Sequence, residues 1–164
     1  MCRMRRWIPV ALLLAACSGE ERPTPAATGD AHSHDHDAHA HAPRYGGVLV
    51  ELGDHEAQVE LALDGESGTL TAYLWDGHVE EAVRSDMKSL RISLITGRDP
   101  LEIDLWPVTD PLTGEKAGDT SRFEATVERL KGAIAFDGIL GDVTLRGRQY
   151  RGKAFEYRED EEHE

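Results

Sequence analysis

Five histidines, His32, His34, His36, His39 and His41, fall within ten residues of the stretch AHSHDHDAHAH, with Asp35 and Asp37 interleaved among them. Neutral imidazole is a borderline ligand suited to zinc, copper and nickel, and adjacent carboxylates supply charge and hydrogen bonds to the ligating rings. A flexible segment can wrap such an ion by choosing two to four imidazoles. Because no geometry is imposed, affinity should follow the Irving–Williams order, with copper(II) above nickel and zinc. Protonated imidazole cannot ligate, so affinity should fall below about pH 6.5. The competing reading is compositional: a His/Asp tract is also a hydrated spacer.

His55 and His78 are candidate secondary metal ligands. Each is read as opening a strand after a Gly/Asp turn, and in an up-and-down meander the two turns share one end of a sheet, about 10 Å apart. Side-chain parity sets them on opposite faces, His55 with Ala57 and Val59, His78 opposite Val79 and Val83. A bulge at Gly77 would bring them together. Beyond histidine, the chain offers no GxSxG elbow, no HExxH and no phosphate loop, so no catalytic residue is assigned and an enzyme is not expected. The strand carboxylates, Glu80 and Glu81 included, read as a solvated face. Tyr73, Trp75, Trp106, Tyr150 and Phe155 read as core or sheet-face packing, with Trp106 beside a Pro-rich loop.

Two elements must position this chemistry. After Cys17, from residue 18 to about residue 44, the chain is mostly Pro, Ala, Gly, Thr, Asp and His, with almost nothing to bury, and reads as a disordered tether spanning roughly 30 Å; lipidated Cys and tether together cover residues 17–44. From residue 45 the texture becomes strand-like. Residues 55–63 alternate, with Ala57, Val59, Leu61 and Leu63 on one face and Glu56, Gln58 and Glu60 on the other. Strands are also expected at 48–52, 69–75, 78–83, 90–94, 101–105, 123–127, 143–145 and 154–157. Asp76-Gly77 is a strong hairpin signal. Residues 107–120 read as a mobile loop, 130–140 is ambiguous between a turn and a helical turn, and 159–164 is an acidic tail. The expected fold class is therefore all-β, a single antiparallel sandwich or barrel of about eight short strands over residues 45–158, after the His-rich tether.

The first 17 residues set the address. Arg3, Arg5 and Arg6 precede an apolar run, Trp7 to Leu14, then Ala15, Ala16 and Cys17. That reads as a secretory signal peptide; the ten residues 7–16, about 15 Å as helix, are too short to span a bilayer. Leu14-Ala15-Ala16-Cys17 resembles the lipobox of bacterial lipoproteins. The resemblance implies cleavage after residue 16 and lipidation of Cys17, which would be the first mature residue. With Ser18 after it, the pattern is similar to default sorting to an outer membrane, facing the periplasm.

Removal of residues 1–16 would leave 148 residues with 15 basic and 31 acidic side chains, a net charge of −16. That balance opposes nucleic acid and anionic lipid surfaces and attracts cations. Cys2 and Cys17 are the chain's two cysteines, so neither disulfides nor thiolate chemistry would remain in the mature domain. The His tract followed by Gly46-Gly47-Val48-Leu49 and Gly53-Asp54 resembles the start of some periplasmic adaptors of heavy-metal efflux pumps, and also small β-domain lipoproteins. That resemblance implies only a neighbourhood of envelope metal homeostasis; the chain shows no long α-helical hairpin or lipoyl-type domain of an adaptor, so the pump role is not carried over. The histidine chemistry and the lipid anchor add the other expectations: Cu, Zn or Ni as the ion, with the membrane and a metal transporter or other envelope protein as partners. The rival expectation is a structural or interaction lipoprotein whose β-domain binds an envelope partner, with the tract as a spacer.

Overall fold

The computed structural model describes residues 41–95 and 99–159. Among these described residues ten strands form: β1 Val48–Leu52, β2 Ala57–Asp64, β3 Thr69–Asp76, β4 Leu90–Ile95, β5 Leu101–Pro107, β6 Arg122–Thr126, β7 Ala135–Leu140, β8 Val143–Leu145, β9 Arg148–Tyr150 and β10 Ala154–Arg158. The helical element among the described residues is one 3-10 turn, Glu128–Leu130, and none of them forms a helix long and apolar enough to cross a membrane.

Eight strands make one antiparallel sheet in the order β1-β2-β3-β6-β5-β4-β7-β10, and its two edge strands, β1 and β10, approach each other. The result is a nearly closed barrel, which leaves little of the unpaired edge that would template aggregation. The order follows from two long crossings, one per end. After β3 the chain passes over one rim to β4, and β6 returns into the gap between β3 and β5; residues 127–134 then cross the opposite rim to β7. The turns 53–56, 77–89, 108–121 and 141–153 therefore share the first rim.

Alternation decides what lies inside. Val59 and Leu61 of β2, Leu70, Ala72 and Leu74 of β3, Ile92 and Leu94 of β4, Leu105 of β5 and Phe123 of β6 have no exposed surface. The β8-β9 hairpin caps the first rim, burying Val143 and Leu145. It is tied to the β3-β4 crossing by the Ser85 hydroxyl, which donates to the Thr144 carbonyl at 2.8 Å. Leu130 of the 3-10 turn fills the other end. The interior is thus occupied by side chains, and any ligand must be met on the rims or the outer face.

Three expectations change. Residues 78–83 are a turn with isolated bridges rather than a strand, so His78 does not open one; His55 likewise sits in the β1-β2 turn, two residues before β2. Residues 135–140 are a strand whose inward positions are Phe136, Gly138 and Leu140. The 107–120 segment is folded into its own bridges, Asp110 with Glu115 and Lys116 with Asp119.

The β2-β3 turn offers a pH test. The Ser67 hydroxyl, joined by the N–H groups of Glu66 and Ser67, holds the Asp64 carboxyl below the usual carboxylate range. A depressed folded value means stabilisation that is complete above the unfolded value of about 3.9 and is lost as pH falls through the lower folded one. Denaturant unfolding across a pH series should therefore show Asp64→Ala less stable than the parent at neutral pH, with the gap closing in acid. A gap independent of pH would refute the assignment.

Candidate functional site

The site begins at Glu60. Strand parity turns this side chain away from the barrel interior, where a carboxylate is ordinarily solvated; yet it has 0 % exposure. The expectation of a wholly solvated acidic face fails here, because residues 44–47 cross over it. Glu60 Oε2 accepts the backbone N–H of Arg44 at 3.1 Å and the Trp75 indole N–H at 3.1 Å. Its other oxygen accepts the N–H groups of Tyr45 and Gly47. Three main-chain amides and an indole thus satisfy one buried charge, which is what its burial demands. Gly47 is required: a Cβ there would lie 2.2 Å from the Leu61 carbonyl oxygen.

Side chains reinforce this latch. The Tyr45 ring stacks on Tyr73 with centroids 4.0 Å apart. The Arg44 guanidinium lies 4.9 Å from the Trp75 ring centroid, a cation–π arrangement. Its Nε donates to the Val79 carbonyl at 2.7 Å and its Nη2 to the Glu80 carbonyl at 3.0 Å. One arginine therefore joins the entering chain to the turn that follows β3.

That turn carries His78. The Asp76 carboxylate organises it by accepting the N–H groups of Glu80 at 2.8 Å and Glu81 at 3.2 Å. Burial pushes the Asp76 carboxyl up, but those N–H groups and nearby His78 outweigh it and hold it below its ordinary value. Gly77 is pressed against the β1-β2 turn, where a Cβ would fall 1.9 Å from the His55 carbonyl oxygen. Val79 adopts φ 60° while its side chain is buried. A β-branched residue in the left-handed region stores strain of order 1–3 kcal/mol, retained only where the surroundings over-determine it. Arg44 and Asp76 provide that constraint, and His78 projects, exposed, from a fixed backbone.

The latch brings His41 to this turn. The His41 and His78 rings meet edge to face, centroids 5.5 Å apart and planes at 65°. His55, on the neighbouring turn with φ 53°, instead has its Nδ1 3.5 Å from Glu51 Oε2. So the two turns do share a rim, but His78 pairs with the last histidine of the tract rather than with His55. Cys17, His32, His34, His36, His39, Asp35 and Asp37 lie outside the described residues. Among the described residues no group of three or more His, Cys, Asp or Glu is placed to hold a metal ion.

The aromatic stack forms one wall of a groove of about 380 Å³, lined also by Arg84, Glu115 and Arg122. Arg84 is engaged by Asp119 at 3.1 Å and by the Thr113 carbonyl at 2.6 Å. Arg122 Nε is buried without a hydrogen-bond partner among the described residues. Burial first, then neighbouring Tyr45, pushes the Tyr73 hydroxyl up. Trp106, 61 % exposed, stands on the outer face of β5 opposite Glu124.

Sequence reasoning missed both the Glu60 latch and the His41–His78 contact. The close-approach glycines Gly47 and Gly77 are the available signals, but the first reads only as the opening of a strand and the second as a hairpin turn. No protein-family model, curated protein or solved structure matches this chain.

Proposed function

We propose that the protein is a lipid-anchored envelope lipoprotein that binds a divalent transition metal, Cu, Zn or Ni, through its histidine-rich segment, and acts in metal buffering or delivery rather than catalysis. The docking of His41 beside His78 carries this reading. The residues next to the tract do not merely trail away from the barrel: residues 44–47 are latched over Glu60, and the last imidazole of the tract is delivered to a rim that presents another. A net charge of −16 after cleavage would concentrate cations around both. Cys17 would supply the lipid, the outer membrane facing the periplasm the location, and a metal transporter or other envelope protein the partner.

Calorimetric titration of Cu(II) and Zn(II) into the full chain tests it. A variant with His32, His34, His36, His39 and His41 all replaced by Ala should lose at least tenfold in affinity, and an unchanged titration would overturn the reading. The variant keeps Arg44, which the latch needs. A second reading, a metal-independent lipoprotein whose barrel binds an envelope partner, is favoured by the unpartnered Arg122 Nε in the groove beside half-exposed Tyr45. It predicts that unchanged titration.

A further inference from the structure

We infer that His78 is a barrel-borne metal ligand that works with His41, so that an ion taken up by the tract is seated at the barrel rim and tied to the folded domain. The inference rests on the proposed metal-binding function and adds a residue outside the tract, together with a mechanical consequence.

Three observations carry it. The first is spacing. Two imidazoles on one tetrahedral ion, with metal–nitrogen bonds of about 2.0–2.1 Å, have ring centroids on the order of 5 Å apart. The observed separation is 5.5 Å, so the rings already stand at the spacing of a shared ion, and binding asks them to turn out of their edge-to-face contact. The second is that both partners are held by the same group. Arg44 fixes the strand entry three residues after His41 and simultaneously binds the Val79 and Glu80 carbonyls beside His78. Rings positioned in advance lose less freedom on binding, which raises affinity over that of a free tract. The third is exposure: His78 is open to solvent on a strained, over-determined turn, and strain of that kind concentrates at functional positions.

Two rings do not complete a coordination sphere. The remaining positions fall to water. His55, paired with Glu51, is not a member.

Because the ion would join residue 41 to residue 78, metal should stabilise the barrel itself, by RT ln(1 + [L]/Kd) for a ligand that favours the folded state. A metal held by the tract alone would leave barrel unfolding untouched. The experiment is thermal unfolding of the full chain, followed by Trp fluorescence, with and without saturating Zn(II), beside calorimetry. Wild type should gain several degrees on adding Zn(II). His78→Ala should fold normally, keep tract binding, lose the thermal gain and bind Zn(II) about tenfold more weakly. His78→Phe, which keeps a ring against His41 but cannot ligate, should behave as His78→Ala; His55→Ala should behave as wild type. If His78→Ala or His78→Phe retains the full gain, or if wild type binds Zn(II) without any gain, His78 is not a ligand, while the tract reading stands. If wild type binds no metal, both fall.

Discussion

Glu60→Ala should lower the melting temperature by on the order of 10 °C and free the chain entry from the barrel. The substitution removes one acceptor but strands four donors: the amides of Arg44, Tyr45 and Gly47 and the Trp75 indole. A buried donor left unsatisfied costs about 1–3 kcal/mol. The segment can swing out and hydrate some of those groups, which caps the loss near 3 kcal/mol, still a large share of a typical domain's 5–15 kcal/mol. Swinging out is itself the diagnostic. The Arg44 backbone becomes accessible to trypsin, Trp75 loses the covering of Arg44, and its emission shifts to longer wavelength. Glu60→Gln should be milder, since its carbonyl oxygen still accepts from two of the four donors, while its NH₂ faces the others. If Glu60→Ala melts like the parent and Arg44 stays protected, the carboxylate is not the latch. The same variant should also separate His41 from His78, so its Zn(II)-induced thermal gain should vanish along with the His78 variants' gain.

Much of the barrel was legible because alternation survives wherever one face is buried. β2 and β3 are placed within two residues, and the Asp76-Gly77 turn falls where its residues put it. The failures have local causes. Residues 78–83 alternate like a strand, but Gly77 must lie against the His55 carbonyl and Val79 takes a positive φ, which together fold the segment into a turn. In β7, Phe136, Ile139 and Leu140 mimic helical spacing. The inward residue between Phe136 and Leu140 is Gly138, whose missing side chain is replaced by the Phe155 ring from β10, 2.5 Å from where a Cβ would stand. A glycine that counts as an apolar position only because a partner strand fills it cannot be read from its own segment. β9, Arg148–Tyr150, has no apolar alternation at all and exists because Arg146 and Gly147, both at positive φ, turn it back on β8. The site was harder still. The chemistry of the histidines was plain in their types, but Glu60 looks like any outward carboxylate of an alternating strand until a distant segment is laid across it. The pairing of His41 with His78 depends on that same crossing.

Phe123→Ala should cost about 3–5 kcal/mol, comparable with or larger than the loss of the latch, yet leave the rim that carries His41 and His78 intact in the folded protein. Phe123 has 0 % exposure and sits on β6, the strand inserted between β3 and β5, with Ala72 on one side and Pro107 on the other. Ala72 is too small to close over the space, so truncation leaves a cavity walled by neighbouring core side chains rather than a collapsed core. An apolar cavity of that kind stays dry and accepts small apolar molecules. Millimolar benzene should therefore restore part of the lost melting temperature in Phe123→Ala and do nothing for the parent or for Glu60→Ala, whose defect is polar and on the outer face. The contrast separates the two roles of this barrel. If benzene also stabilises the parent, the interior is a preformed ligand cavity, and the argument that function lies on the rim and outer face loses its premise. If it acts on Phe123→Ala alone, and that variant below its transition still gains stability from Zn(II), then the core serves only to hold the rim. The distance between His41 and His78 would then be set by the latch and by Gly77, not by anything inside the barrel.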